Sequence, residues 1–378
     1  MSATISSDQF RVMIVDDSAV IRGLLTRALE ADPAITVVAS VSNGQNALNA
    51  LDRHDVEIVV LDIEMPVMDG MTALPLLLKA KPGIQVLMAS TLTRKNAEIS
   101  LRAMALGAAD YVSKPTATSE IHSADSFKRE LVEKVKALAV AGRGAKRGAL
   151  RSSPVSPGTA PGRQQSAVAH TGREREIVLR PAPRQVPDLI AIGSSTGGPQ
   201  ALLKLLAGLG NEVGQPILIT QHMPATFTAL LAGHIGKTAG RPCAEGVDGE
   251  TIRPGRIYLA PGGYHMVVER TGIRDVIRLN QDKPENFCRP AVDPMLYSLA
   301  PLYGSRMMVV ILTGMGCDGQ KGAEAVVKAG GSVIAQDEAS SVVWGMPGAV
   351  ATSGLCSAVL PLGEIAPYIR KLVVRSAA

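Results

Sequence analysis

Short apolar runs and amphipathic stretches alternate along the first part of the chain. "RVMIVDD", "ITVVASV", "VEIVVLD", "IQVLMAS" and "DYVSKP" have the length and content of strands. Between them, "SAVIRGLLTRALE", "GQNALNALDRH", "ALPLLLKA" and "NAEISLRAMALG" carry apolar residues at helical spacing, the first with Ser18 placed as its N-cap. "SFKRELVEKVKALAVA" closes the unit as an amphipathic helix. Five strands alternating with helices predict a parallel sheet covered on both faces, a (βα)5 unit over residues 9–138.

Periodicity then stops. Residues 139–185 are rich in Gly, Pro, Ser and Arg, a composition that buries too little apolar surface to offset its ordering entropy, so a flexible linker is expected, with "EIVLRP" as a short strand or docking element inside it. Alternation resumes over 186–378. "DLIAIGSS", "QPILITQHM", "GRIYLAPGG", "HMVVER", "DVIRLN", "RMMVVILTGMG", "SVIAQD" and "CSAVLP" read as strands. "GPQALLKLLAGL", "ATFTALLAGHIGKTA", "MLYSLAPLYG" and "QKGAEAVVKAG" read as helices. The fold class is therefore α/β, with the (βα)5 unit followed by a doubly wound, mostly parallel α/β domain carrying an antiparallel hairpin near 256–280.

Composition adds three constraints. The 378 residues are 46% hydrophobic and only 3% aromatic, so both cores must be aliphatic. No apolar run reaches membrane-spanning length, the first residues lack a basic and apolar leader, and Cys243, Cys288, Cys317 and Cys356 form no C-x-x-C pair; a cytoplasmic, reduced protein without membrane insertion is expected. The linker holds nine basic residues against two acidic ones, a net of +7 that exceeds the +5 of the whole chain. Basicity thus belongs to the connector, not to either folded part, and nucleic acid is not an expected partner.

Candidate chemistry gathers at predicted strand ends. Asp16 and Asp17 end the first strand, Asp62 the third and Ser90 the fourth, while Lys114 follows the fifth, so all lie at one edge of one parallel sheet. Each Asp alone is explained by capping of the next helix. Together, three convergent carboxylates need a compensating cation such as Mg2+, and a nearby Lys adds a second positive charge. That equipment suits phosphoryl transfer to a carboxylate. In the second domain, "GSSTG" places Ser195 between a strand and a helix in G-x-S-x-G form. A dinucleotide loop is disfavoured, because G-x-G-x-x-G and the later acidic residue are missing. Of the six histidines, His222 directly follows an apolar strand that can neighbour the Ser195 strand, which makes it the candidate general base; a core or capping histidine is the alternative. Asp318 follows the longest apolar strand through a Gly-rich loop holding Met315, either as an orienting acid or as the N-cap of the next helix. The chain order Ser–His–Asp differs from the Ser–Asp–His of ordinary α/β hydrolases.

These motifs carry two resemblances. "VDDS", "LDIEMPVMDG", Ser90 and "SKP" resemble bacterial response-regulator receiver domains. That resemblance implies phosphorylation at Asp62 by a histidine kinase phosphodonor, Mg2+ held by Asp16, Asp17, Asp62 and the backbone carbonyl of Glu64, and a switch through Ser90, Tyr111 and Lys114. "GSSTGGP", "QHMP", "LAPGG", "FCRPAVD", "ILTGMGCDG" and "QDEASSVVWGMPGAV" resemble the chemotaxis receptor methylesterase family (CheB). By it, a hydrolase acting on γ-glutamyl methyl esters of methyl-accepting chemoreceptors, and on receptor glutamines, is expected. Ser195 becomes the nucleophile, His222 the base, Asp318 the residue orienting it and the Met315 N–H an oxyanion donor, with no cofactor in this domain. The receiver is expected to cover the Ser195 cleft until Asp62 is phosphorylated. Ser194, Cys288 and Cys317 stand where Ala, His and Asn are common, which bears on substrate preference. A DNA-binding output is disfavoured by the lack of a helix-turn-helix, and an inert binding module would not need Ser195, His222 and Asp318 together.

Overall fold

The computed structural model describes residues 9–91, 93–114, 121–151, 177–182, 185–210 and 212–374. The first sheet holds β1 (Phe10–Val15), β2 (Ile35–Val41), β3 (Ile58–Asp62), β4 (Gln85–Ser90) and β5 (Asp110–Ser113). They run in the order β2-β1-β3-β4-β5 and pair in parallel throughout. The intervening helices are α1 (Ala19–Glu30), α2 (Gly44–Leu51), α3 (Gly70–Ala80) and α4 (Arg94–Ala105), with α5 (Ile121–Arg151) after the last strand. Capping fixes where they start: Ser18, Asn43, Asp69 and Thr93 each accept a backbone N–H from the first turn.

The predicted boundary at residue 138 does not coincide with the end of α5, which continues to Arg151. Leu138 and Ala139 are buried against the sheet. Arg143 then reaches Glu57 through Nε at 2.6 Å and stacks 4.5 Å from the Phe10 ring, so a residue read as linker is tied to the first domain. The rest of the expected linker up to residue 176 lies outside the described residues. Residues 177–182 form no strand; Arg180 N–H donates to the Cys356 carbonyl at 2.8 Å, so this stretch docks on the second domain.

The second sheet is built from β6 (Leu189–Ser194), β7 (Ile217–Gln221), β8 (Cys243–Glu245), β9 (Ile257–Leu259), β12 (Met307–Ile311), β13 (Ser332–Gln336) and β14 (Ala358–Leu360). Its order is β14-β13-β12-β6-β7-β9-β8, all parallel. The predicted hairpin is β10 (His265–Thr271) with β11 (Arg274–Asn280), antiparallel and separate from this sheet. Helices α6 (Gly198–Leu209), α7 (Ala225–Ala239) and α11 (Leu362–Val374) share an apolar cluster with Ile190 and Ile192 on one face. The opposite face, with Leu189 and Ala191, packs on α8 (Val292–Tyr303), α9 (Gln320–Lys328) and α10 (Gly345–Thr352). Strand β8 and helices α10 and α11 add to the elements expected from the pattern.

The two domains share core. Tyr111 of the first sheet stacks on Phe227 of α7, with ring centroids 4.2 Å apart and planes 13° apart. A stacked pair of this kind contributes about 0.5–1.5 kcal/mol beyond its buried area. Gln200 of α6 donates its amide to the carbonyls of Met104 and Ala108, and the Thr196 hydroxyl donates to Asp110 Oδ2 at 2.8 Å. The first domain therefore sits on the carboxyl-end rim of the second sheet.

Candidate active site and phosphoryl site

Because β6 and β7 are adjacent parallel strands, paired up to Ser194 and Gln221, they deliver Ser195 and His222 side by side. The His222 N–H donates to the Ser194 carbonyl at 3.1 Å. Gln221, 2% exposed, locks both strand ends. Its Oε1 accepts the Ser194 hydroxyl at 2.7 Å, and its Nε2 donates to the carbonyls of Ser195 at 3.0 Å and His222 at 3.1 Å. Ser195 opens the turn into α6, and the helix begins at a left-handed Gly197 with φ 77°. A Cβ there would meet the Val342 side chain at 2.6 Å, so the turn requires glycine.

The Asp318 carboxylate reaches the same point from the loop after β12. Its Oδ2 lies 2.7 Å from His222 Nε2. It also accepts the backbone N–H groups of Val292 at 2.6 Å, Asp293 at 3.1 Å and Gly319 at 3.0 Å, and the Asn286 amide at 3.2 Å. Asp318 thus caps α8, rather than the helix that follows it, using two N–H groups at that helix's positive end. Burial opposes its charge, but His222 and the helical N–H donors outweigh burial and hold its pKa below 3.8. Burial likewise disfavours the His222 imidazolium, yet neighbouring Cys288 and Asp318 outweigh it and raise the pKa above 6.5.

The Gly-rich loop closes the third side. A Cβ on Gly314 would lie 2.9 Å from Ser195 Cβ, so glycine permits the loop to pass against the serine. Next in the loop, the Met315 N–H takes no backbone partner among the described residues, and its side chain packs on an apolar cluster in which first-domain residues are joined by Val343 of the second domain. The structure thus brings His222 and Asp318 into direct contact and sets Ser195 beside them through backbone bonds; the Ser195 hydroxyl itself has no hydrogen-bond partner among the described residues. Cys288 lies against His222, whereas Cys317 is exposed. Gln221, Asn286 and Asp293 were not singled out in the sequence. Only Gln221 left a signal there, as a polar residue ending an apolar strand. Asp293, 1% exposed, accepts the Gly322 N–H at 2.7 Å; burial, together with the charges of Asp318 and Glu285, raises its pKa to about 6.

In the first domain, carboxylate oxygens of Asp16, Asp17 and Asp62 all lie within 4.8 Å of one another. Lys114 Nζ bridges Asp16 and Asp62 at 2.6 Å to each. Burial is the main cause that raises the Asp62 pKa; Asp16 adds to it and Lys114 opposes it. Three hard oxygen donors at one sheet edge fit Mg2+ well. Glu64 lies exposed two residues beyond Asp62 and pairs with Lys95 at 2.8 Å. Ser90 and Ser100 are buried with their hydroxyls 3.2 Å apart, and Tyr111 is buried against Phe227.

Comparison with known proteins agrees with this division. Residues 12–125 match the response regulator receiver domain, and residues 190–369 match the CheB methylesterase domain. The chain is 58% identical, over 98% of its length and 96% of the relative's, to the protein-glutamate methylesterase/protein-glutamine glutaminase of group 2 operon from Rhodospirillum centenum. Identity is 57% to protein-glutamate methylesterase/protein-glutamine glutaminase 1 of Paramagnetospirillum magneticum, over 98% of both chains. It is 59% to the similarly named Azospirillum brasilense protein, over 98% of this chain and 94% of that one. Among the described residues no helix is long and apolar enough to cross a membrane. With likeness running through both domains, the chain belongs to the CheB family of receiver-linked protein-glutamate methylesterases, a family of carboxylic-ester hydrolases.

Proposed function

We propose that this chain hydrolyses γ-glutamyl methyl esters, and deamidates glutamines, on methyl-accepting chemoreceptors, using Ser195, His222 and Asp318 under control of the receiver. One observation carries the reading: the 2.7 Å His222–Asp318 bond stands beside Ser195 on the neighbouring strand end. With Nε2 committed to Asp318, Nδ1 is the ring nitrogen left for the Ser195 proton. Ser195 Oγ bonds to the ester carbonyl carbon as His222 takes that proton, and the Met315 N–H faces the developing oxyanion. The carbon–methoxy bond breaks, and the proton on His222 passes to the departing methanol. Water then enters by the same route in reverse, leaving a glutamate carboxylate and free Ser195. A serine-directed fluorophosphonate is expected to label the wild type, with labelling abolished in Ser195→Ala and slowed at least a hundredfold in His222→Gln. Equal labelling of wild type and Ser195→Ala would overturn the assignment.

For the receiver, Asp62 is the phosphoryl acceptor from a histidine kinase, with Ser90, Tyr111 and Lys114 relaying the change. Asp16, Asp17, Asp62 and the Glu64 carbonyl would hold Mg2+, which supplies charge neutralisation for phosphoryl oxygens. Lys114 shields the same carboxylates, and it is positioned to pair with a phosphoryl group on Asp62. Control by occlusion is supported by the seat of the receiver: Asp110 holds Thr196, the residue after the nucleophile, and Val343, beside the Met315 loop, shares an apolar cluster with receiver residues. Phosphorylation shifts the population toward an arrangement in which that rim is uncovered. We place the end of the receiver at α5's last residue, Arg151, with the linker beyond it.

A further inference from the structure

The turn at residues 285–288 touches the candidate triad on one side and the receiver on the other. Glu285 and Cys288 exchange backbone hydrogen bonds, at 3.2 Å and 2.9 Å, and close a two-residue turn. Both central residues are left-handed, Asn286 with φ 50° and Phe287 with φ 63°. Such mirror-image turns favour Asn first and Gly second, so Phe287 sits where its Cβ is strained. Strain of this kind persists only where surroundings hold it, and here the contacts doing so are specific. The Asn286 amide donates inward to Asp318 Oδ1 at 3.2 Å and also approaches Asp293 Oδ2 at 3.5 Å. Cys288 lies against the His222 ring. Phe287 points outward, 76% exposed, and the guanidinium of Arg129 on receiver helix α5 lies 3.9 Å from its ring centroid.

We propose that Asn286 is a positioning residue for Asp318, and that this turn transmits the receiver's seat to the triad through the Arg129–Phe287 contact. The inference rests on the Ser195–His222–Asp318 reading. Among the described residues, the Asn286 amide is the side-chain N–H that reaches both of two buried carboxylates of like charge, Asp318 and Asp293. Its hydrogen bond adds a side-chain donor to the backbone N–H groups of Val292, Asp293 and Gly319 that hold the Asp318 carboxylate, and so helps set the direction of the His222 ring. Arg129 holds Phe287 while the receiver is docked; undocking removes that restraint, and the turn alone then sets Asn286 and Cys288.

The test uses the full-length protein and methanol release from a methylated glutamyl peptide, with and without a small phosphodonor. Asn286→Ala is expected to lower kcat about tenfold in both states, as for one lost hydrogen bond to a charged group, with KM within about twofold. Asn286→Asp keeps the shape but replaces a donor by a third carboxylate, so it is expected to lose more than Asn286→Ala and to shift the pH profile. Arg129→Ala is expected to raise the donor-free rate about twofold to fivefold, the weight of an exposed cation–π contact, and to leave the donor-activated rate unchanged. Wild-type kcat in Asn286→Asp, or a KM change with constant kcat in Asn286→Ala, would overturn the positioning role. An unchanged donor-free rate in Arg129→Ala would overturn the link to the receiver. Absence of any Ser195-dependent methanol release from the wild type would be failure of the underlying esterase reading, visible before either variant is compared.

Discussion

His222 carries opposing demands. Its raised pKa favours the imidazolium that pairs with Asp318, while a general base must be neutral to accept the Ser195 proton. The His222 shift contributes stability that is full below the unfolded value of 6.5 and is lost as pH rises through the higher folded pKa. The Asp318 shift contributes above 3.8 and is lost as pH falls through its depressed pKa. The pair therefore stabilises the fold most between these unfolded values, at pH where the base is least available. Activity is expected to rise with pH along an acid limb centred above 6.5. Cys288→Ala removes one group that favours the imidazolium, so its limb is expected at lower pH in a kcat/KM profile; an unmoved limb would exclude Cys288 from setting the base. The three candidate catalytic residues were legible because each ends or follows an apolar strand. Asn286 and Asp293 were not, since their meaning arises only where the 285–293 segment meets the loop after β12, which periodicity does not encode.

At the level of elements, the strands other than β8 were legible, whereas helices α10 and α11 and the end of α5 were not. Helix α10 contains Gly345, Pro347 and Gly348, and α11 contains Pro367, so propensity argues against helices that packing nevertheless forms. Strand β8 is three residues long, too short for a period-two pattern to register. The extension of α5 has another cause: Gly142 and Gly144 read as linker, yet Arg143 between them meets a buried carboxylate. Burial raises the cost of charge on Glu57, but Arg143 and Arg11 outweigh it and hold its pKa below 4.5. That contribution is present above 4.5 and disappears as pH falls through the depressed value. Arg143→Ala is expected to destabilise the receiver by about 1–3 kcal/mol near neutral pH, with the difference narrowing in acid. Denaturant melts at pH 7 and pH 4 check this, and an equal loss at both would remove the ion pair as the cause.

At the scale of the molecule, both sheets expose their chemistry at carboxyl edges, and the receiver is seated on the rim that carries Ser195. The fold class and the order of domains followed from alternation alone, but the seat did not. Phe227, Asp110, Thr196 and Gln200 look like ordinary core or surface residues until the two domains meet, and Tyr111, expected as a switch residue, carries no sign in the sequence of its stacking on Phe227. Full-length protein incubated with methylated chemoreceptor, with and without a small phosphodonor, tests the account most directly through methanol release. Slow release that accelerates at least severalfold with the donor, and vanishes in Ser195→Ala, is the predicted result. Release that persists in Ser195→Ala, or that the donor does not change while Asp62 is phosphorylated, would contradict it.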